Sequence, residues 1–400
     1  MSPKFSPFFC WSAGCSNVSS IWGIGWLSFF WAASSLMVVS LLPSFITGEL
    51  KASKVSLGII EGVSISSTFL IEVFSGISSD YFRARKPFMM VGSVLNIIIK
   101  PLFAFSYSTT WVFSIRLLDR LSKGIRSAPT VALIADLAPK NLQGSSYGLR
   151  QALYVMGAMV GSLSATILMK ISNNNFRLVF LFATLPAIFA LIILWKIVRP
   201  APYNNKTKFS GWRIKDIKKF PLTYWKLLFV VSILMLARFS EAFICLHAQD
   251  VGWQVFMLPM VFFVMEFVHA FIAYPIGKLA DHSNRHVLFF NGLLSLFLAN
   301  IIFIYFSSPM GALIGVFLTG LHMGMTQGLI ATLIAASTPV ELRGTAFGFY
   351  YLVSGIAILL GNFIAGSLAH IYGIYSVFVG ANLFIALAAF LFFLFMLKQN

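Results

Sequence analysis

Gly373 to Leu397 reads GIYSVFVGANLFIALAAFLFFLFML, 25 residues without one Asp, Glu, Lys or Arg. About 20 mainly apolar residues are enough for a helix to cross ~30 Å of hydrocarbon, whereas barrel strands would alternate in segments of about 10 residues. The stretch therefore reads as a transmembrane helix. Working back toward the N-terminus, comparable runs recur at 22–47, 55–79, 88–108, 111–136, 144–169, 177–198, 222–247, 252–277, 287–307, 310–336 and 343–369. Composition agrees: 58% of the chain is hydrophobic and 10% charged, where a soluble globular domain carries about 25% charged residues. The expected fold is an all-α membrane protein of twelve transmembrane helices.

The formal net charge of +17 would suit a nucleic-acid partner, but the placement of the 29 Lys and Arg residues argues against one. With the N-terminus inside, 18 of them fall in cytoplasmic segments and only Lys51, Lys54, Lys170 and Arg177 fall outside; the others lie within spans. Basic residues concentrate in cytoplasmic loops, so both termini are expected in the cytoplasm, at a plasma membrane or, in a bacterium, the inner membrane. Cys10, Cys15 and Cys245 are odd in number and lack metal-ligand spacing, which points to neither a disulfide framework nor a zinc site. Residues 1–20 carry one Lys and no sustained apolar run, so no cleaved signal peptide is expected. Neither a cofactor nor a metal is expected.

Arg199 to Phe220 is polar, basic and Pro-containing, and it divides the spans six and six. The expected organisation is an N-terminal six-helix half at 1–198, a basic cytoplasmic linker at 199–221 and a C-terminal six-helix half at 222–400. At an offset of 200 residues Gly124, Pro139, Gly144, Gly148 and Gly161 meet Gly324, Pro339, Gly344, Gly348 and Gly361. Apolar composition produces coincidences among leucines and alanines; aligned Pro and Gly are harder to obtain that way. The halves read as a duplication, a recurring feature of secondary transporters with a site at the repeat interface.

A second correspondence, at offset 201, pairs Gly76-Ile-Ser-Ser-Asp80 with Gly277-Lys-Leu-Ala-Asp281, each followed by basic residues: Arg83, Arg85 and Lys86 after the first, Arg285 after the second. This pattern resembles the loop signature of the major facilitator superfamily. The resemblance extends to Leu57-Gly-Ile-Ile-Glu61-Gly in span two, Lys100-Pro101 in span three and the Arg120 and Gly124 of span four. It implies twelve helices, a central cavity lined by spans one, four, seven and ten, and alternating access. Two departures stand out: Arg83 occupies a place where the signature usually has Gly, and Ala32 and Leu36 stand where some relatives carry acidic residues in span one. Proton coupling through span one is therefore in doubt.

Five charged residues of span four, Arg116, Asp119, Arg120, Lys123 and Arg126, fall within an arc of about 120° on one helix face. A charge at the bilayer centre costs about 3 kcal/mol on insertion scales, so the stripe should face a water-filled cavity or protein partners. Asp119 can pair with Lys123, leaving excess positive charge. Two roles stay open for this stripe, a grip on an anionic solute and a buried structural ion network. Arg238 and Glu241 in span seven are three apart and able to share a helix face; Glu61 and His322 are further candidates, His322 as a proton or solute ligand, and with Ala32 and Leu36 in span one any proton site should involve Glu61, Asp119 or Glu241. Asp80 and Asp281, with the basic residues after them, are expected to form a cytoplasmic latch.

No Gly-rich phosphate loop and no H-E-x-x-H pair is present, so the membrane-enzyme reading is weak; a non-transporting receptor or assembly protein on a transporter scaffold remains an alternative. The expected function is secondary active transport of a small organic solute, through export of a metabolite or drug or movement of an organic anion, with protons as the candidate coupling ion. The expected partners are the bilayer and that solute, acting on a monomer.

Overall fold

The computed structural model describes residues 18–82, 84–138, 143–200, 220–338 and 343–395, without the side chains of Val18, Asp80, Tyr274, Asp281, His282 and residues 343–345. It is a bundle of helices: α1 (Val18–Val39), α2 (Leu42–Ser44), α3 (Lys54–Tyr81), α4 (Arg85–Ala104), α5 (Thr109–Leu137), α6 (Gln143–Ile171), α7 (Phe176–Phe182) and α8 (Thr184–Lys196) precede the linker. After it come α9 (Leu222–Ala237), α10 (Ala242–Asp250), α11 (Pro259–His282), α12 (Arg285–Tyr305), α13 (Pro309–Ala336), α14 (Arg343–Ile371) and α15 (Tyr375–Phe395). Among the described residues, eleven segments are long and apolar enough to cross a membrane. The twelfth, α5, has the length at 29 residues but is charged along one face.

Three spans are not continuous helices, among them the sixth, where α7 and α8 part at Ala183. Pro43 sits in the first turn of α2, where it lacks an N–H to give to the preceding turn; the first span then closes in a π-helical turn at Phe45–Glu49. The seventh span breaks at Arg238 to Glu241, between α9 and α10. This corrects the expectation that Arg238 and Glu241 share a helix face: the backbone leaves the helix between them, and the freed Ser240 N–H donates to Asn362 Oδ1 at 2.8 Å.

Residues matched by the 200-residue offset do matching structural work. A Cβ on Gly161 of α6 would run into the Ala33 carbonyl of α1, and one on Gly361 of α14 into the Leu236 carbonyl of α9. Gly124 of α5 abuts Ile71 of α3, as Gly324 of α13 abuts Ile272 of α11. Ser108 caps α5 by accepting from Trp111 N–H, and Ser308 caps α13 by accepting from Gly311 N–H.

The apolar cores define two unlike ends. At the face away from residues 18 and 395, one core joins Leu41, Phe45 and Phe180 of the first half to Phe243, Phe262 and Phe378 of the second. There Ser44 donates to Gln249 at 3.0 Å and Lys170 lies over the Phe256 ring. At the face carrying residues 18, 200, 220 and 395, the halves keep separate cores: Ile24, Leu133 and Leu194 in one, Leu288, Phe289 and Phe392 in the other. Between the ends, α3 runs against α14, with Phe69 stacked on Tyr351. The halves thus share an apolar core at the far face and keep separate ones at the terminal face.

Candidate solute site

The span-four stripe is divided by its surroundings. Near the far face, Arg116 grips Glu61 of α3 with two bonds, Nε to Oε1 at 3.2 Å and Nη2 to Oε2 at 3.0 Å. Asp119 accepts from Lys100 of α4 at 2.8 Å and lies 3.7 Å from Arg116 Nη1. The predicted Asp119 partner, Lys123, is therefore replaced by Lys100, which sits one helix away with its ammonium fully buried. Ser240 from the broken seventh span donates to Glu61 Oε2 at 3.2 Å, tying this network to the second half. Four charges taken out of water are stable only when each is paired, and here they are.

Farther from that face the pairing lapses. Lys123 and Arg126 of α5, with Arg150 and Tyr154 of α6 and Trp31 of α1, border a cavity of about 50 Å³. Arg126 is 4% exposed, its guanidinium lies over the Trp31 ring at 4.7 Å, and its Nη1 is buried without a hydrogen-bond partner. Arg120 Nε and Arg150 Nε are likewise unpartnered. Glu72 faces Lys123, Ser127 and Arg150.

On the other wall, Arg238, Glu241, Gln327, Tyr350 and Ser354 line a cavity of about 370 Å³ together with Phe69. The two cavities bring together spans one and four, and spans seven and ten, as the resemblance implied; spans two, five and eleven add to them. His322 borders a smaller space with Glu241 and Asn300, while its Nδ1 donates to the Gly292 carbonyl at 2.8 Å.

At the terminal face, Arg83 lies outside the described residues, as do the side chains of Asp80 and Asp281, so the acidic half of the expected latch is not described. The basic residues beside it hold their own half: Arg85 donates to Asp136 and Ser79, Lys86 to the carbonyls of Trp195 and Val198. Arg285 donates to the Ala280 carbonyl. Gly76 approaches Ala128, and nothing lies within 4 Å of a Cβ built on Gly277. Lys100, Ser240 and Asn362 were not singled out from sequence for a role at the site. A lysine inside an apolar span was the available signal for Lys100; the helix break that recruits Ser240 has no Pro or Gly to announce it.

A bundle of long apolar helices, with one polar cavity inside the first half and another between Ile65 and Phe69 of α3 and the second-half helices, has the architecture of a multi-pass membrane transporter. The sequence profile of the Major Facilitator Superfamily matches residues 24–361 and 242–400, and the chain belongs to that family, one of transporters rather than enzymes. It is 27% identical to an MFS-type transporter of Methanocaldococcus jannaschii over 87% of this chain and 88% of that one. Identity to the multi-drug resistance efflux pump PmrA of Streptococcus pneumoniae is 25%, over 91% and 92% of the two chains. The nucleoside transporter NupG, in a crystal structure of a mutant, shares the fold with a TM-score of 0.77 at 14% identity, over 94% of this chain and 99% of that one.

Proposed function

We propose that the protein is a secondary active transporter of a small organic anion, with its terminal face in the cytoplasm and its solute site open to it. The observation that carries this reading is the unlike packing of the two ends: one apolar core shared across the far face, two separate cores at the terminal face. Rocking of one half against the other would exchange which end is sealed, which is how repeat-built transporters alternate access. The excess of Lys and Arg in the terminal-face segments supports a cytoplasmic assignment. The unpartnered guanidinium nitrogens of Arg120, Arg126 and Arg150 support an anionic solute, and likeness to a protein described as an efflux pump supports export.

Of the three carboxylates that sequence nominated for proton coupling, Glu61 and Asp119 are committed to ion pairs. Glu241 lines the larger cavity and forms no ion pair among the described residues, so we assign the coupling proton to it. The test is flux in proteoliposomes, using anions that differ between cells with and without the protein. Flux should rise with an imposed pH gradient, and Glu241→Gln should remove that dependence while leaving downhill exchange. An absence of flux for every candidate would sink the transport reading; flux indifferent to pH in the wild type would remove the proton.

A further inference from the structure

The inner end of the stripe is built differently from its outer end. Arg116, near the far face, has a carboxylate on each side. Arg126, about 15 Å along the same helix, has an indole face beneath it and no hydrogen-bond partner at Nη1. Three cations, Lys123, Arg126 and Arg150, converge on one small cavity; Glu72 faces Lys123 and Arg150, while the carboxylate acting on Arg126, Asp119, is already bonded to Lys100. A buried guanidinium nitrogen left without a partner is costly, and Arg126 Nη1 and Arg150 Nε are both in that state, although Arg150 Nη2 reaches Gln151 Oε1 at 3.4 Å; a bilayer protein would not hold them beside Lys123 unless something offsets them in the working cycle.

We propose that this cavity is an oxyanion subsite that takes the carboxylate or phosphate head of the transported solute. The inference rests on the anion-transport reading for its place in the cycle, but not for its existence. A volume of about 50 Å³ suits such a head group, whereas a whole drug-sized ligand needs roughly 300 Å³ or more. Arg126 and Arg150 supply planar, forked donors suited to two parallel bonds with one oxyanion. Lys123 adds a point charge, and Tyr154 a hydroxyl at the rim. Trp31 holds the Arg126 plane from behind by cation–π contact and fixes its orientation. The proposal moves anion recognition inward from Arg116 and Arg120, whose neighbours already include Glu61 and Asp119.

The test is equilibrium binding to the full-length protein in phosphatidylcholine nanodiscs, read by tryptophan fluorescence with Trp31→Phe as the reporter control. Benzoate and phenylphosphate should quench saturably through Trp31, and benzamide should not. Arg126→Gln and Arg150→Gln should each weaken binding by about tenfold or more, since a charge-assisted bond to a buried ion is lost. Arg126→Lys should fall between them and the wild type, and Arg177→Gln, stacked on Tyr107 away from the cavity, should bind as the wild type does. Competition by added phosphatidylglycerol would keep the oxyanion site but assign its occupant to lipid. Equal binding of acid and amide would overturn the subsite, as would affinity undiminished in both Gln variants; if Arg126→Gln fails to fold, Arg150→Gln and Lys123→Gln carry the same decision. Because binding is read without flux, a protein that binds these anions but moves none in vesicles retains the subsite and loses the transport reading. One that moves neutral solutes and ignores the anions loses the subsite alone.

Discussion

Helices α5 and α13 occupy equivalent places in the two halves and share their scaffold: the Ser108 and Ser308 caps, and Gly124 and Gly324 set against α3 and α11. Their chemistry is opposite. Where α5 has Arg116, Asp119, Arg120, Lys123 and Arg126, the positions 200 residues on are Val316, Thr319, Gly320, Met323 and Thr326. The matched positions set where the backbones meet, while the cavity walls differ, one side cationic and the other largely neutral. A transporter with this asymmetry can hold a charged head on one half and the remainder of a solute on the other.

The sharpest way to break the comparison is to remove one charge from the first-half network. Asp119→Ala leaves Lys100 buried and unpaired, and should cost about 3 to 5 kcal/mol. Its counterpart Thr319→Ala loses one hydroxyl that donates to the Gly315 carbonyl and should cost under about 1 kcal/mol. Reversible unfolding in detergent micelles, compared between the two variants, decides this; equal losses would mean that the α5 charges are solvated rather than paired.

The shared scaffold predicts the reverse pattern. Gly161→Val and Gly361→Val each push a side chain into a backbone carbonyl of the neighbouring helix, and each should destabilise by about 1 to 3 kcal/mol through overpacking. The same unfolding assay should find the two losses alike. A tolerant Gly361 beside an intolerant Gly161 would show that the repeat does not extend to helix spacing.

These pairs also mark what could be read in advance. Span number and the matched glycines follow from apolar run length and offset alone, because hydrophobic thickness and close helix approach act on composition directly. The stripe on α5 was legible for the same reason: its spacing is a property of one helix. Which cation pairs with which acid was not, since Lys100 and Glu61 reach α5 from other helices and only packing sets their height. The break at Arg238 to Glu241 was hidden because it is held open by tertiary bonds, Ser240 to Asn362 and to Glu61, with no local breaker in the sequence.

Those bonds give a smaller effect that sharpens the contrast between the halves. Ser240→Ala removes the hydroxyl that links the second half to Glu61; hydrogen bonds between membrane helices average about 0.6 kcal/mol. A loss of that size should move the balance between the two access states about threefold, toward the state in which the far seal is parted. Spin labels at Lys51 and Asp250, both at the far face, would report the populations by pulsed distance measurement. An unchanged distribution would confine Ser240 to positioning the break.

The smallest expected effect concerns His322, the residue of α13 that sequence put forward as a solute or proton ligand. It is 1% exposed, and because a carbonyl can only accept, the 2.8 Å contact with Gly292 fixes the proton on Nδ1. Nε2 is then left as an acceptor beside Thr326 Oγ1 at 3.4 Å, a hydroxyl already bonded to the His322 carbonyl. The ring is thereby a spacer between α13 and α12, a structural counterpart in the second half to what the ion pairs do in the first. His322→Asn keeps a donor at the Nδ1 position, so stability should change by no more than about 0.6 kcal/mol and flux by less than about twofold; His322→Leu, which has no donor, should lose up to about 1.7 kcal/mol. Unfolding midpoints and proteoliposome flux of both variants settle the matter together. A His322→Asn protein that unfolds like the wild type yet loses flux tenfold would place the imidazole in the solute path, and the neutral wall of α13 would then hold a recognition group of its own.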